Sequence, residues 1–521
     1  AVTSGNNLTA GKAVDIAALN APAVKAVTGA LSGSLLASAA VTVAQANIGT
    51  KGKALKTSVT IGDNNVLAAE TISVKAETNA KQDVDMQALS ISASPFPGGA
   101  AQINSGGSSI YSDVTVDAGS NVYRGKALGG NNYGAADLLL EAGNSVSQKV
   151  RASGISAGTA FATGTNLAAT QAVLTTKVTA AGSKAGSHIN DLTVNAKSYA
   201  AIDSEANGYG GALIDISPYA AKVENEYRAD TDVELSGDWT TDGVVTAGAI
   251  NGSDIDLHAD AVRAAVVGGS GVWLKNDVSN AANVAVKDAK ITSNGAQVYT
   301  AQNNVDHTGK IDASGYGGVN VNASDLNDAF AFTAGVTVDK SELTALGNSG
   351  SITAQALTQG TINSTNSLKS AGLVPVSLAA SKHKLVYDNS VDITGSTLKT
   401  AKKDQDITLA ASDDTEVRLE TIADTQGGAV GAASARAENE LARSNKLKVD
   451  GNSYLESTND VNLYAGANSG GINSSLGLEV LADAYNKTVI PVYTAPSVRN
   501  TMTQNNQVEI AGDVGSVRHV N

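Results

Sequence analysis

The densest group of side chains that could do chemistry in this sequence is acidic. Asp413 and Asp414 are adjacent, and Glu416 and Arg418 follow closely. Carboxylates beside a cation could bind calcium or abstract a proton from an acidic sugar, the chemistry of a polysaccharide lyase. The same doublet also forms a simple polar turn after a strand, because aspartate readily bonds its own backbone. The pattern favours the turn.

Histidine and cysteine give no metal-site pattern. The five histidines, none with a partner at metal-ligand spacing, are His188, His258, His307, His383 and His519. The sequence contains no cysteine, which excludes disulfides and thiol chemistry and makes a zinc site improbable. His258 occupies an outward-type strand position and is predicted to lie in solvent. We therefore predict no catalytic residues, no metal and no cofactor.

Two further features suggest ligand chemistry only weakly. Residues 129–134 read Gly-Gly-Asn-Asn-Tyr-Gly, but they lack the regular aspartates of a calcium-binding nonapeptide and do not recur in tandem. Trp239 and Trp273 are the only tryptophans. Tyrosines scattered around them in sequence are Tyr209, Tyr219, Tyr227 and Tyr316. Exposed aromatic rings could stack on sugars, whereas packing within loops is the interpretation favoured for these.

The elements that must position all these residues are short alternating strands. Asp406–Ala411 reads Asp-Ile-Thr-Leu-Ala-Ala, so Ile407 and Leu409 are predicted to face one side and Thr408 the other. Similar segments are Ile72–Ala76, Asp113–Ala118, Asp137–Ala142, Asp191–Ala196, Asp254–Ala259, Gly318–Ala323, Ser351–Ala356 and Asp460–Ala465. Each copy is too short to bury its apolar face alone, so the pattern predicts stacked copies, as in a solenoid.

The spacing of these segments suggests a long repeat. Several steps between copies are roughly 54–64 residues, and a β-helical coil usually needs about 20. The sequence therefore predicts about three coils in each repeat, about 25 coils in all, and a rod roughly 120 Å long. Pairs of glycines are expected at the corners of coils. Some asparagines are expected to stack in ladders between coils.

Three alanine-rich stretches leave helix and strand open: residues 30–49, 158–178 and 433–442. Pro95-Phe96-Pro97 is predicted to form a protruding loop. No stretch divides the chain, so residues 1–521 are predicted to form one continuous β-helical region. The absence of an initial methionine and of a signal segment leads us to expect a piece of a larger protein.

Composition limits the possible partners. Aromatic residues are only 4% of the chain, which suits a narrow interior filled by Val, Ile, Leu and Ala rather than a large globular core. The few large apolar residues are also compatible with disorder, but the persistent alternation opposes it. A net charge of −14 argues against nucleic acid. Scattered basic residues and the lack of a long apolar stretch argue against membrane insertion.

The strand phrases resemble those of a known family. Residues 59–64, Val-Thr-Ile-Gly-Asp-Asn, and 72–76, Ile-Ser-Val-Lys-Ala, follow an alanine-rich strand, and residues 427–465 repeat the arrangement. This phrasing is similar to filamentous haemagglutinin-like and leukotoxin-family filamentous adhesins. The resemblance implies a right-handed parallel β-helix, secreted and displayed extracellularly at a bacterial cell surface. The Asn-Pro-Asn signatures of the family's secretion module are absent here.

Together these observations predict an all-β, right-handed parallel β-helix, a β-solenoid in the form of an elongated rod. Its expected role is structural and adhesive, as a segment of a cell-surface fibre. Expected partners are identical chains, associating laterally or end to end, and a receptor or glycan on another cell. The alternative is a β-helical protein that binds or degrades polysaccharide, such as a lyase or a phage tailspike.

Overall fold

A computed structural model describes residues 1–93, 98–129 and 132–521. All regular elements in those residues are strands. The described residues therefore contain no helix that is long and apolar enough to span a membrane. The strands are β1 (Asn7–Thr9), β2 (Ala13–Asn20), β3 (Ala23–Ser34), β4 (Ala37–Ile48), β5 (Leu55–Ile61), β6 (Val66–Ala68), β7 (Thr71–Ser92), β8 (Gly99–Ala118), β9 (Val122–Arg124), β10 (Ala127–Gly129), β11 (Asn132–Tyr133), β12 (Ala136–Gly158), β13 (Phe161–Ala181), β14 (Ile189–Thr241), β15 (Val245–Ser293), β16 (Gln297–Asp339), β17 (Glu342–Ala345), β18 (Ile352–Thr394), β19 (Thr397–Thr400), β20 (Ile407–Gln426), β21 (Val430–Val449), β22 (Tyr454–Ser457), β23 (Asp460–Ala465), β24 (Leu476–Lys487), β25 (Ile490–Ile510), β26 (Asp513–Ser516) and β27 (His519–Val520).

Residues one repeat apart lie side by side, because the strands of the main sheet are parallel and in register. Leu192 pairs with Val245, and Val245 pairs with Gln297, so the chain returns after 53 and then 52 residues. One such column passes through ten levels: Val14, Ile72, Leu138, Leu192, Val245, Gln297, Ile352, Ile407, Val461 and Val520. The chain is therefore all-β and solenoid-like, with one repeat forming one level.

The predicted coil of about 20 residues is wrong. Contacts between residues 20 to 32 positions apart do exist, but they cross the interior between the two facing strands. Thr231 donates to Asn251, 20 residues away, and Asn144 donates to the Ser112 carbonyl, 32 residues away. Each level consists of two long strands that run in opposite directions and face each other, and the chain must complete both before it returns.

The predicted rod of roughly 120 Å is wrong for the same reason. Nine steps between ten levels, at about 4.8 Å each, give an axial height of about 43 Å. The strand β8 alone has 20 residues, which at about 3.3 Å per residue span about 66 Å. The body is thus wider across its long faces than it is tall.

We name the two ends of each flattened level. The tip is the tight turn between the two long strands, as at 159–161, 212–214 and 317–319. The base is the opposite end, closed by short strands such as β17, β19 and β22. One apolar cluster fills the base and a second lies nearer the tip. Ile72 and Leu409 belong to the first, and Val150 and Leu385 to the second.

A seam of polar side chains separates the two apolar clusters. Asn251 Nδ2 donates to Asn303 Oδ1 on the next level at 3.0 Å. Asn389 donates to Asn445 at 3.0 Å, and Asn445 donates to Asn506 at 3.1 Å. These axial bonds confirm the expected asparagine ladders. They satisfy amide groups that would otherwise be costly to bury.

The alternation predicted for the strand at 406–411 is confirmed for its apolar side. Ile407 and Leu409 are fully buried. Thr408 was expected in solvent, yet it is only 8% exposed. The loop after β23 lies over this outward face, where Ser469 Oγ donates to Gln355 Oε1 at 2.7 Å. Outward positions here are therefore covered as well.

The other predictions about strands and loops have different outcomes. The three alanine-rich stretches lie mainly in β3, β4, β13 and β21, so the helical alternative is wrong. In the segment Gly318–Ala323 the alternation is inverted: Asn320 and Asn322 are buried, while Val319 and Val321 are 40% and 44% exposed. The predicted loop at Pro95-Phe96-Pro97 lies outside the described residues. So do Gly130 and Asn131 of the glycine-rich segment.

Candidate functional site

A polar groove runs along the outer face formed by the first long strand of several levels. Three adjoining cavities of about 310, 470 and 320 Å³ share Gln359 as a lining residue. Tyr199 lies at one end, and residues 468–474 form a wall at the other. Tyr199, Gly252, Asn304, Gln359 and Asp414 form one axial column, because each pairs with the next across the levels.

Side-chain amides organise the middle of the groove. Gln302 Nε2 and Gln359 Nε2 both donate to Asn304 Oδ1, at 2.7 and 2.9 Å. Thr361 Oγ1 donates to Asp306 Oδ1 at 3.0 Å. These bonds hold amide and hydroxyl groups in fixed positions on a rigid sheet. The arrangement provides both donors and acceptors to a ligand.

An aromatic ring lies at one end of the groove. Tyr199 is 45% exposed and lies beside Gly252, where an added Cβ would come within 2.8 Å of the ring. Burial, together with the negative charges of Asp254 and Asp306, raises the pKa of Tyr199. The phenol is therefore protonated at neutral pH and can donate a hydrogen bond. Glycine at 252 keeps one edge of the ring open.

The groove carries negative charge without a matching basic cluster. Asp254, Asp306, Asp414 and Glu416 are all exposed lining residues. Carboxylates at these positions repel acidic ligands. Hydroxyl-rich neutral ligands suit this surface, because they can both donate to carboxylates and accept from amides.

The two residues of the acidic doublet point in opposite directions: Asp413 into the interior and Asp414 into solvent. The turn predicted at Asp413 is wrong, because Asp413 is buried within β20, where Arg443 forms an ion pair with it at 2.5 Å and Asn445 donates to it at 2.7 Å. Asp414 is exposed and bonds Ser475. The alternation that places Leu409 inside also places Asp413 inside, and that signal was available in the sequence.

Two histidines predicted to be isolated meet at one buried carboxylate. His383 Nε2 lies 3.0 Å and His307 Nε2 lies 3.6 Å from Asp328 Oδ2. Ser364 Oγ donates to the same oxygen at 2.5 Å. His307 faces Asp328 across one level, whereas His383 lies directly beside Asp328 on the next level. The His307 ring also packs on Phe330, with centroids 5.1 Å apart.

The Asp328 carboxylate is stabilised by its two histidine neighbours rather than by solvent. Burial opposes ionisation of Asp328, but His307 and His383 together hold the pKa of Asp328 well below its usual range. The two imidazoles and the Ser364 hydroxyl supply the close polar partners without which a buried carboxylate is costly. All three side chains are fully enclosed, so the cluster is an internal brace between two levels.

The remaining histidines do not form a site with these. His188 is exposed, with Nε2 2.6 Å from Asp242 Oδ2, and the Tyr133 carbonyl and Asp242 raise its pKa. His258 is half-buried rather than free in solvent, and His519 is exposed. Among the described residues, no group of three or more His, Cys, Asp or Glu side chains is arranged so that it could hold a metal ion.

The aromatic residues considered for sugar contact are either buried in the interior or located near the tip. Trp239 is buried and stacks on Tyr123, with its Nε1 donating to the Ser236 carbonyl at 3.0 Å. Tyr227 is fully buried as well. Trp273 packs against Tyr219 near the tip. None of these rings lines the groove, whose aromatic side chain, Tyr199, was not singled out from the sequence. Its one sequence signal is that it faces outward from an otherwise well-formed strand.

Comparison with known proteins leaves the site to be interpreted from its geometry: no family model, curated protein or solved structure matches this chain.

Proposed function

We propose that this chain is a structural and adhesive segment of a bacterial cell-surface fibre, built as a right-handed parallel β-helix and displayed outside the cell. The observation that supports it best is the axial register maintained through ten levels. Ladder bonds between levels make such a body stiff, since each level is braced by its neighbours. The outward positions of the strands are left free to carry a binding surface.

The groove at Gln359 is the binding surface in this proposal, and its ligand is a neutral glycan. Fixed amides, hydroxyls and carboxylates match the many hydroxyls of a sugar chain. The ring of Tyr199 offers a flat apolar face at one end. The groove also extends along the axis over several levels, which suits an extended polysaccharide rather than a compact metabolite.

Binding to a panel of neutral and acidic polysaccharides tests this assignment. We expect binding of a neutral glycan that falls at least about tenfold for Tyr199→Ala or Gln359→Ala, since each removes a direct contact. Tyr454→Ala is the matched control, because Tyr454 is similarly exposed, at 41%, on a base strand outside the groove. Equal binding by all variants, or a preference for acidic polysaccharides, would contradict the assignment.

The alternative, degradation of polysaccharide, has one specific observation in its favour. Asp414 and Glu416 project from the same outward face of β20 into the groove, and paired carboxylates can act as acid and base. A reducing-end assay on every glycan that binds distinguishes the two functions. We expect no turnover. Turnover abolished by Asp414→Asn with binding retained would replace the adhesive proposal with an enzymatic one.

A further inference from the structure

The tip of the levels presents an exposed apolar edge. At this turn the usual polarity is reversed, with apolar side chains outside and polar ones inside. One axial column joins Phe161, Ile214, Val267 and Val319, which are 43%, 43%, 48% and 40% exposed. Beside it lie the still more exposed side chains Leu36 (64%), Leu213 (56%), Val266 (55%), Leu373 (62%) and Val489 (82%). We call these nine residues the tip edge.

The tip edge carries no exposed charge. The chain has 86 charged residues, 36 basic and 50 acidic. The described stretches that pass through the tip contain none of them apart from Asp215 and Arg263: residues 26–50, 86–93, 98–112, 152–176, 206–221, 261–274, 313–324, 370–381, 425–435 and 488–498. Asp215 and Arg263 face inward as a buried pair 3.4 Å apart. A stretch without exposed charge therefore recurs at each of these turns.

The size of this edge matches that of a stable protein interface. Along the axis it extends about 40 Å, from the spacing of the levels. With two to three residues on either side of the turn it is about 18 Å wide, which gives about 720 Å² for one partner, near the ~800 Å² per partner of a standard interface. Apolar patches larger than a few hundred Å² mark interaction surfaces in soluble proteins.

We propose that the tip edge pairs with the tip edge of a second copy of this chain, so that two bodies associate side by side along their axes. Two copies that each carry a net charge of −14 repel one another wherever their charged faces meet. The tip edge is the surface where that repulsion is least and apolar burial is greatest. Levels of both copies repeat at the same spacing of about 4.8 Å, so side chains of one edge fit between those of the other.

This inference rests on the proposed structural role, because it names the partner and the surface through which a fibre segment would thicken. The tip edge differs from the outward strand faces that are rich in Ser, Thr and Asn. Those faces also carry the exposed Asp, Glu, Lys and Arg, whereas the tip edge does not. Lipid is not favoured as the partner, because the tip edge itself contains no basic side chain to bind headgroups.

The test is the association state of the 521-residue chain by sedimentation equilibrium and small-angle scattering. We expect a dimer whose longest dimension is about 130 Å, twice the width of a level, rather than about 86 Å, twice its height. The double variant Leu213→Lys with Leu373→Lys should weaken association by about 100-fold or more, since it places charges at two exposed centres of the interface. The control is Leu346→Lys with Val244→Lys, two exposed apolar residues in loops at the base.

Each outcome decides the proposal. A monomer at tens of micromolar, or equal association by both double variants, would overturn it. A dimer with doubled height that the tip lysines do not disturb would indicate end-to-end pairing instead. Binding of the monomer to phosphatidylcholine vesicles, lost in the tip variant, would assign the edge to lipid. A flattened monomer that binds neutral glycan would remove this inference and leave the proposed function standing. Circular dichroism of each variant verifies that the strands are retained.

Discussion

Replacing Asp328 with Asn tests whether the buried cluster braces two levels. The substitution keeps the size of the side chain and removes the negative charge on which His307, His383 and Ser364 converge. In the wild type the short contacts to Asp328 Oδ2 are those of His383 at 3.0 Å and Ser364 at 2.5 Å, whereas His307 lies farther away at 3.6 Å. Hydrogen bonds to a buried charge contribute about 1.5–3 kcal/mol each. Removing one member of a buried charged group costs about 3–5 kcal/mol, so we expect a loss in that range.

The sign of the pH dependence follows from the lowered pKa of Asp328. A carboxylate whose pKa is lowered by folding stabilises the folded state above its unfolded pKa, about 3.9, and loses that contribution as the pH falls further. The wild type should therefore lose stability below about pH 4 more steeply than Asp328→Asn does. The difference between the two proteins should be largest near neutral pH and should shrink in acid.

The assay is hydrogen exchange with pulse proteolysis at pH 7 and pH 3, because levels in a stacked protein can open locally. Protection should fall around residues 300–390 and persist near the ends. Asp325→Asn is the control, since Asp325 lies on the same strand but is exposed, and it should change stability by about 0.5 kcal/mol or less. If Asp328→Asn behaves like this control, the cluster is not a brace.

Two further predictions follow from packing, and a third from the lack of a metal site among the described residues. Leu409→Asp buries an unpaired charge, so it should lower the free energy of unfolding by several kcal/mol and expose the neighbouring strands to protease. Thr337→Asp places the same charge at an outward position and should change the free energy of unfolding by about 0.5 kcal/mol or less. Equal sensitivity of the two variants would refute the assigned facing. Gly360→Ala should destabilise by more than about 1 kcal/mol, because φ is +140° and a Cβ would lie 1.7 Å from the Val305 carbonyl oxygen. Gly107→Ala, whose Cβ would meet only a side-chain atom at 3.9 Å, is its control, and similar melting of the two would contradict the close approach. Excess EDTA should leave the melting curve unchanged; loss of β signal would reveal a metal array.

Much of the fold is predictable from alternation alone. Period two identifies strands, and the apolar set on each strand identifies the interior, as at Ile407 and Leu409. The same rule also applies to polar residues, and it places Asp413 on the inward side of β20 rather than in a turn. A carboxylate at an inward position is acceptable there because Arg443 and Asn445 lie within bonding distance. Alternation fixes the side to which a residue points, while the partner decides whether its polarity is tolerated.

The number of residues in one level is the feature that the repeat spacing predicts least well, although the sequence contains a signal for it. Glycine pairs are expected at every corner, but one set lies at five of the seven tips between residues 98 and 428: Gly98–Gly99, Gly210–Gly211, Gly268–Gly269, Gly317–Gly318 and Gly427–Gly428. A corner that needs glycine once in about 55 residues indicates one sharp turn per repeat, not three. At Gly317 the reason is visible, since φ is +157° and a Cβ would lie 1.5 Å from the Ala265 carbonyl oxygen.

The buried histidines and the groove could not be predicted, because both depend on which residues face each other. His307 and Asp328 are 21 residues apart and meet only if the turn between them lies at the tip. Asp328 and His383 are 55 apart and meet only if one repeat makes one level. Without the correct level length, each of these side chains is isolated in the sequence. The column from Tyr199 to Asp414 depends on the same register.

The reversed polarity at the tip is not explained by the needs of the fold. Inside the turn the two strands come close, so small and amide side chains such as Asn320 and Asn322 fit where Leu would not. Nothing in that crowding requires Val or Leu on the outside, where a charged side chain would be as easily accommodated and more soluble. Elsewhere on the same strands, outward positions carry Lys, Glu and Asp freely. Apolar residues that repeat at the tip level after level, without an exposed charge among them, are therefore a property of the surface and are best understood as a contact made with another surface.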